Sequence, residues 1–318
     1  LELGGTKVEV GVQTTYERVN REMHRGHGVQ ASLDANRRLR NAGFKVGFHM
    51  MPGQPGMSAE MCLQDFRQLF ENPDWRPDYL KIYPTLVVEG TRVFDRWHRG
   101  DFDPLTSEEA ADVVAEVMAH IPKYTRLQRV QRDIPADFID AGVQKSNLRQ
   151  LADERAETKG IIQRDIRARE VGHSDETPEP DDVELDVLTY EAAGGTEHFL
   201  SFEDPVRDLL VGFCRLRFPS FADGQPGAPG TESDAIRHEL EDAALIRELH
   251  VYGSEVTLGG DGDWQHQGYG RQLIERAESL AREAGYRKMA IISGIGAREY
   301  YRRKLGYHQD GPYVSKRL

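Results

Sequence analysis

Cysteine is scarce: Cys62 and Cys214 are the only two in 318 residues. Their separation suits neither a disulfide framework nor a metal site. Both read as small buried residues of a reducing, cytoplasmic compartment, and no metal ligand set is expected. Long apolar runs are missing as well. Mean hydropathy is -0.62 with 38% hydrophobic residues, and no stretch approaches the roughly 20 residues that a membrane helix needs. Leu1 to Thr14 has no basic region followed by an apolar one, so nothing reads as a signal peptide, and a chain opening on Leu is expected to begin inside something larger. Positive charge is in deficit: 41 Lys and Arg against 53 Asp and Glu leave a net -12, which argues against indiscriminate nucleic-acid binding. The deficit is uneven. Ile121 to Gln150 holds six Lys/Arg against three Asp, and Val171 to Leu210 holds twelve Asp/Glu against one Arg. Such segregation predicts one cationic surface for a polyanion, the alternative being two solvated faces of ordinary domains.

What is present is organised around Gln265-His-Gln-Gly-Tyr-Gly270, which runs into a helical pattern from Arg271 to Ala284. Free N–H groups of a first helical turn, with the positive end of the helix dipole, suit a pyrophosphate, and glycines let it approach the backbone. Alone, a Gly-x-Gly is weak. Its context is a strand-like run, Ala243 to Tyr252, then the loop, the helix, a strand at Met289 to Ile292 and a short Tyr-rich helix at Ala297 to Leu305.

Earlier in the chain, strands at Lys7–Val12, Lys45–Met51, Tyr79–Tyr83 and Thr125–Val130 alternate with helices at Val29–Ala42, Ser58–Glu71 and Thr106–His120. Recurring βα units build parallel sheets or barrels, but four are too few to close one of six or eight strands. Ligands of such sheets gather at the C-terminal strand ends, here His49-Met-Met-Pro52, Lys81-Ile-Tyr-Pro84 and Gln131-Arg-Asp133. Lys81 is the best candidate for reaching a substrate anion or base, since a lysine in an apolar strand is rarely buried without a partner. His24 and His27 look like a metal pair but have no further ligand in view, so a ligand-contacting loop is the reading preferred. Ser174 to Asp186 reads as an exposed acidic linker, and Pro219 to Thr231 as a mobile loop between strands.

Glu248-Leu-His-Val251, Gln265 to Gly270, Arg298-Glu-Tyr-Tyr301 and Lys304-Leu-Gly-Tyr307 resemble the GNAT acetyltransferase fold. Val8 to Thr14, Gly47 to Gly53, Leu80 to Thr91, Arg129 to Pro135 and Ala141 to Arg149 are similar to the radical-SAM domain of the catalytic subunit of Elongator. The resemblance implies an α/β chain: the C-terminal part of a radical-SAM barrel at 1–158, a linker at 159–186 and a GNAT domain at 187–318. It implies acetyl-CoA held by Glu248, Leu249, His250, Val251, by Gln265, His266, Gln267, Gly268, Tyr269, Gly270 and by Tyr300. The N–H of Val251 is a candidate polariser of the thioester carbonyl. Tyr300 is the CoA-contacting tyrosine, with Tyr301 the weaker choice and aromatic packing the alternative for either. Catalysis is assigned to Tyr300, Tyr301 and Lys81.

Family members use S-adenosylmethionine and a four-iron four-sulfur cluster to carboxymethylate the wobble uridine of tRNA. The cluster cysteines are absent from this sequence, so radical chemistry by this chain alone is not expected. A zinc-binding Cys-x-Cys-x-x-Cys of many members corresponds to Gln163, Asp165 and Ala168, so no zinc is expected either. Arg126, Arg129, Arg132, Lys145 and Arg149 are the expected tRNA contacts; other Elongator-like subunits or self-association are further partners, and no membrane is expected. The alternatives are a protein-lysine acetyltransferase and a non-catalytic tRNA-binding fragment.

Overall fold

The computed structural model describes residues 1–132, 134–174, 176–219, 237–252 and 268–318. The chain forms two compact units. Residues 9–36 and 46–168 make one, and residues 1–8, 37–45 and 169–318 make the other.

In the first unit the strands β1 (Lys7–Gln13), β2 (Lys45–Met50), β3 (Tyr79–Ile82) and β4 (Arg126–Val130) form a sheet in that order, with β2–β3 and β3–β4 parallel. Between them come helices α1 (Glu17–Glu22), α2 (Val29–Asn41), α3 (Ala59–Glu71), α4 (Arg92–His98) and α5 (Ser107–Met118), and α6 (Leu148–Thr158) follows. Strand alternation buries Val46, Phe48, Met50, Leu80, Ile82 and Leu127. Side chains between them, including Glu9, His49, Lys81 and Arg129, keep part of their surface open. Local signals set the helix starts: Ser58 accepts from the Met61 N–H, and Thr106 with Glu109 completes a capping box. The sequence expectations for α3 and α5 hold within a residue or two, whereas α1, α4 and α6 had gone unpredicted.

The second unit is a seven-stranded sheet ordered β10-β11-β9-β8-β7-β6-β5. Its strands are β5 (Glu184–Ala192), β6 (Gly195–Asp204), β7 (Leu209–Phe218), β8 (Ala243–Val251), β9 (Lys288–Ile291), β10 (His308–Asp310) and β11 (Tyr313–Arg317). All neighbours pair antiparallel except β8 and β9. The two residues joining β5 to β6, Ala193 and Gly194, are both left-handed (φ 48° and 74°), as the twist of a tight hairpin requires. Helix α7 (Ile166–Arg169) precedes the sheet, α8 (Tyr269–Glu283) lies between β8 and β9, and α9 (Arg298–Leu305) precedes β10. Leu273, Ile274 and Ala277 of α8 pack with Leu200, Val211, Leu216, Ile246 and Met289 of the sheet.

Two expectations shift here. β5 starts at Glu184, inside the stretch read as linker, because an edge strand needs only backbone pairing and tolerates the exposed Glu184 and Asp186. Helix α8 starts two residues earlier than expected, on the glycine motif itself. The loop expected at 219–231 lies, after Pro219, outside the described residues.

Candidate functional site

Strands β8 and β9 are parallel neighbours only briefly: Ala243 to Ile246 pair with Lys288 to Ile291, and the last link is the Ile292 N–H to the Ile246 carbonyl. Beyond Ile246, β8 continues to Val251 against β7 alone, past a register shift opposite Arg215 and Leu216. The Tyr252 N–H donates to the Val211 carbonyl. Alternation along an antiparallel ladder therefore turns the N–H and C=O of Leu249 and Val251 the other way, toward the side that β9 has left.

Helix α8 begins at that opening. Gly268 is left-handed (φ 73°), a conformation that suits glycine, and among the described residues no side chain caps the helix. Among the described residues nothing accepts the Gly270 N–H. A Cβ placed on Gly270 would meet Val251 Cγ2 at 3.6 Å, the Tyr300 hydroxyl at 3.7 Å and Leu249 Cδ2 at 3.8 Å. The bare glycine thus brings the helix start, the released edge of β8 and one phenol to a common point.

The two adjacent tyrosines separate. Tyr300 is 41% exposed, whereas Tyr301 is 5% exposed and sits in the core, its ring 5.4 Å from Tyr300 and 6.2 Å from Tyr307. Burial raises the pKa of Tyr300 above its ordinary value while Arg271 pulls it down; burial raises that of Tyr301 further. Of the other expected contacts, the Glu248 carboxylate is held by Arg215 at 2.8 Å, and His250 stacks on Phe213 at 6.0 Å and lies tilted against Tyr252 at 4.3 Å. The side chain of Tyr269 is buried against Phe202. Gln265, His266 and Gln267 lie outside the described residues.

In the four-stranded sheet, Lys81 Nζ donates to Glu9 Oε2 at 2.6 Å, and His49 Nε2 approaches the same oxygen at 2.7 Å. His49 and Lys81 are register partners, as are Lys81 and Arg129. One carboxylate oxygen thus organises two nitrogen-bearing side chains on a row that is partly open to solvent. Glu9 was not singled out from sequence, and His49 only as the start of a strand end where ligands gather. The alternation Lys7-Val-Glu-Val carried the signal, since it puts Glu9 on the side opposite the part-buried Val8 and Val10 and the buried Val12.

Most of the cationic cluster expected to meet tRNA is engaged within the protein. Arg132 donates to the carbonyls of Gln144 and Ile134, Lys145 to Glu108 at 2.6 Å, and Arg149 to the Leu127 carbonyl at 2.9 Å. Arg126 and Arg129 are part-exposed and exposed. At the positions that the resemblance sets against zinc-binding cysteines, Gln163 donates to Asp153, and the buried Asp165 accepts the Leu127 N–H at 2.9 Å and the Arg167 N–H at 3.0 Å. His27 lies against Arg25 and the Gly28 carbonyl, and among the described residues no group of three His, Cys, Asp or Glu is placed to hold a metal.

A solved structure, the archaeal Methanocaldococcus infernus Elp3 with an N-terminal deletion, superposes with a TM-score of 0.90 at 45% identity, covering 100% of this chain and 73% of that one. The chain belongs to the Elp3 family. Residues 1–69 match the radical SAM superfamily, 77–158 the radical SAM C-terminal domain, and 164–307 the acetyltransferase (GNAT) family. A tRNA uridine(34) acetyltransferase of Methanocaldococcus infernus is 45% identical over the whole chain, and Elongator complex protein 3 of Saccharomyces cerevisiae is 43% identical. The chain spans 59% and 56% of the length of these two Elp3 relatives. The fold class is therefore that of Elp3, a radical-SAM-type α/β region followed by a GNAT domain. No described helix is long and apolar enough to cross a membrane.

Proposed function

We propose that this chain serves a tRNA-modifying acyltransferase that carboxymethylates the wobble uridine, with acetyl-CoA held by the GNAT region. The observation that carries this reading is the meeting of Gly270, Val251 and the Tyr300 hydroxyl at the released end of β8. The residues present fit such a donor. Among the described residues nothing lies within 4 Å of a Cβ placed on Gly268 and no side chain caps α8, whose start offers N–H groups and a positive dipole end to a pyrophosphate.

Bound there, acetyl-CoA supplies an acetyl group activated as a thioester. The Val251 N–H, turned toward the opening, is the donor for its carbonyl oxygen. Tyr300 keeps its proton at neutral pH, since burial raises its pKa, and its Oη is the donor to a sulfur that gains charge. Lys81, held by Glu9, is the group that reaches the base or an anion on the sheet of the other unit. The two cysteines do not suit an iron–sulfur cluster. Both are buried, and burial pushes the Cys62 thiol to about 11 and Cys214 higher, against the thiolate that iron requires.

The test is acetyl-CoA binding by calorimetry and tRNA-stimulated acetyl-CoA hydrolysis. Gly270→Asp puts a carboxylate where the pyrophosphate needs bare N–H groups and is expected to abolish binding. Tyr300→Phe is expected to lower hydrolysis by about a hundredfold, within the usual range for a lost proton donor, with binding nearly intact. Tyr301→Phe should leave the rate within a fewfold. Wild-type affinity in the Gly270→Asp variant, or equal rates in both phenylalanine variants, would remove the assignment.

A further inference from the structure

Strand β9 ends where β8 leaves it. Its alternation sorts the side chains: Met289 and Ile291 pack with Leu273 and Ile274 of α8, whereas Ala290 and Ile292 pack on the other face with Leu245 and Tyr313. Ile292 supplies the last link to β8, through its N–H to the Ile246 carbonyl. Ser293 comes next, so alternation returns its side chain to the face that α8 covers, at the vertex of the fork between the two strands. It is 7% exposed, whereas residues 294–297 after it are all exposed.

Among the described residues the Ser293 hydroxyl has no hydrogen-bond partner. Ser201 of β6 is buried too, but it donates to Glu203. A hydroxyl can donate once and accept twice, and one withdrawn from water with none of these engaged destabilises the free protein until a ligand completes it. The start of α8 lies at the same fork. This helix connects parallel β8 and β9 and runs back against them, so its first turn meets the C-terminal ends of both strands, and Gly270 stands against Val251 and Leu249 there. A pyrophosphate at that turn directs the rest of an acyl-CoA between the parted strands, with the thioester end nearest the vertex. The pantetheine arm carries two amides, and each needs a partner once it leaves water.

We infer that the Ser293 hydroxyl holds the pantetheine amide nearest the thioester and so sets how far acyl-CoA enters the fork. This rests on the acetyl-CoA reading above and adds a side chain from the end of β9 to a site otherwise built from β8, α8 and α9. The test is calorimetric titration of the whole chain and of Ser293→Ala with acetyl-CoA, with CoA and with 3′-phospho-ADP, the portion of CoA that lacks the arm. Ser293→Ala is expected to weaken acetyl-CoA and CoA by about tenfold each, the loss of one buried hydrogen bond, and to leave 3′-phospho-ADP unchanged. The ligand-free variant should melt no lower than wild type, since an unpaired hydroxyl has been removed. In tRNA-stimulated hydrolysis KM should rise about tenfold with kcat within a fewfold, the reverse of the split expected for Tyr300→Phe. A lower melting temperature in the free variant would make the hydroxyl a structural group, and an equal loss for 3′-phospho-ADP would place it with the pyrophosphate; either overturns the inference. Weakening confined to acetyl-CoA would move the hydroxyl to the thioester and overturn it as well. If wild type binds acetyl-CoA and Ser293→Ala binds all three ligands equally well, the inference is wrong and the acetyl-CoA reading stands. If wild type binds neither acetyl-CoA nor CoA, both fall.

Discussion

The two sheets of this chain handle charge in opposite ways. In the seven-stranded sheet, Glu197 is 1% exposed and is met by three arginines whose side chains are all 0% exposed: Arg40 at 3.0 Å, Arg217 at 2.9 Å and Arg247 at 2.8 Å. Arg217 also donates to Asn41 and to the carbonyls of Ala192 and Ala193, and Arg247 to that of Phe44. In the four-stranded sheet, Glu9 gathers Lys81 and His49 at similar distances, but its side chain is 30% exposed and that of His49 is 29%. Each sheet gathers nitrogen-bearing side chains on one carboxylate; the exposure to solvent differs. A buried ion set is held because removing one member strands the others, whereas a set open to water has little effect on stability and keeps its charges available to a ligand.

The widest separation is expected from the two glutamates. Glu197→Gln leaves three buried guanidiniums short of a charge and should destabilise its unit by about 3 to 5 kcal/mol, lowering the melting temperature by on the order of 10 °C. Thermal unfolding followed by circular dichroism checks it, and a loss below about 1 kcal/mol would break the contrast.

The histidines sharpen it next. His198 is buried, its Nδ1 2.8 Å from the Thr189 hydroxyl and its ring 4.5 Å from Phe218. Burial lowers its pKa below the ordinary 6.5, despite the opposing pull of Glu197 and Glu191. Between the folded and unfolded pKa values the unfolded chain binds the extra proton. The His198 contribution is therefore intact above about 6.5 and is lost as pH falls toward the folded value, by at most about 1.4 kcal/mol for each pH unit. Urea unfolding at several pH values should show this slope in wild type and a shallower one in His198→Phe.

The smallest effect is expected at Glu9. Glu9→Gln should change stability by less than about 1 kcal/mol, while tRNA-dependent turnover falls because Lys81 loses its anchor. A large loss of stability with full turnover would reverse the roles assigned to the two sheets.

The sequence made the periodic parts of this molecule legible. Apolar strand runs placed β2, β3, β4 and β8, and capping residues placed α3 and α5, because each signal is local. The glycine motif likewise announced the start of α8. Which neighbouring tyrosine opens to the site was named only through the resemblance, because residue spacing alone does not show how α9 rolls against Tyr307 and the sheet. The ion set on Glu197 was hidden for the same reason: Arg40 and Arg247 are 207 positions apart in the chain. The expected tRNA arginines show the reverse situation. A cluster of cations in sequence reads as a surface, yet Arg132 and Arg149 direct their guanidiniums at backbone carbonyls.

The short segment 37–45 belongs by its packing to the unit formed mainly by residues 169–318. It supplies Arg40 to Glu197, Asn41 to Arg217, the Phe44 carbonyl to Arg247 and the Ala42 carbonyl to the Tyr313 hydroxyl. The acetyltransferase portion is therefore not a cassette that can be cut cleanly from the C-terminal side. A piece starting at Arg169 would lack those partners, and during synthesis the ion set on Glu197 must wait until Arg247 has been added, some two hundred residues after Arg40. Gene shuffling that moved residues 169–318 alone would carry a damaged core, so this unit is inherited intact only when residues 37–45 travel with it.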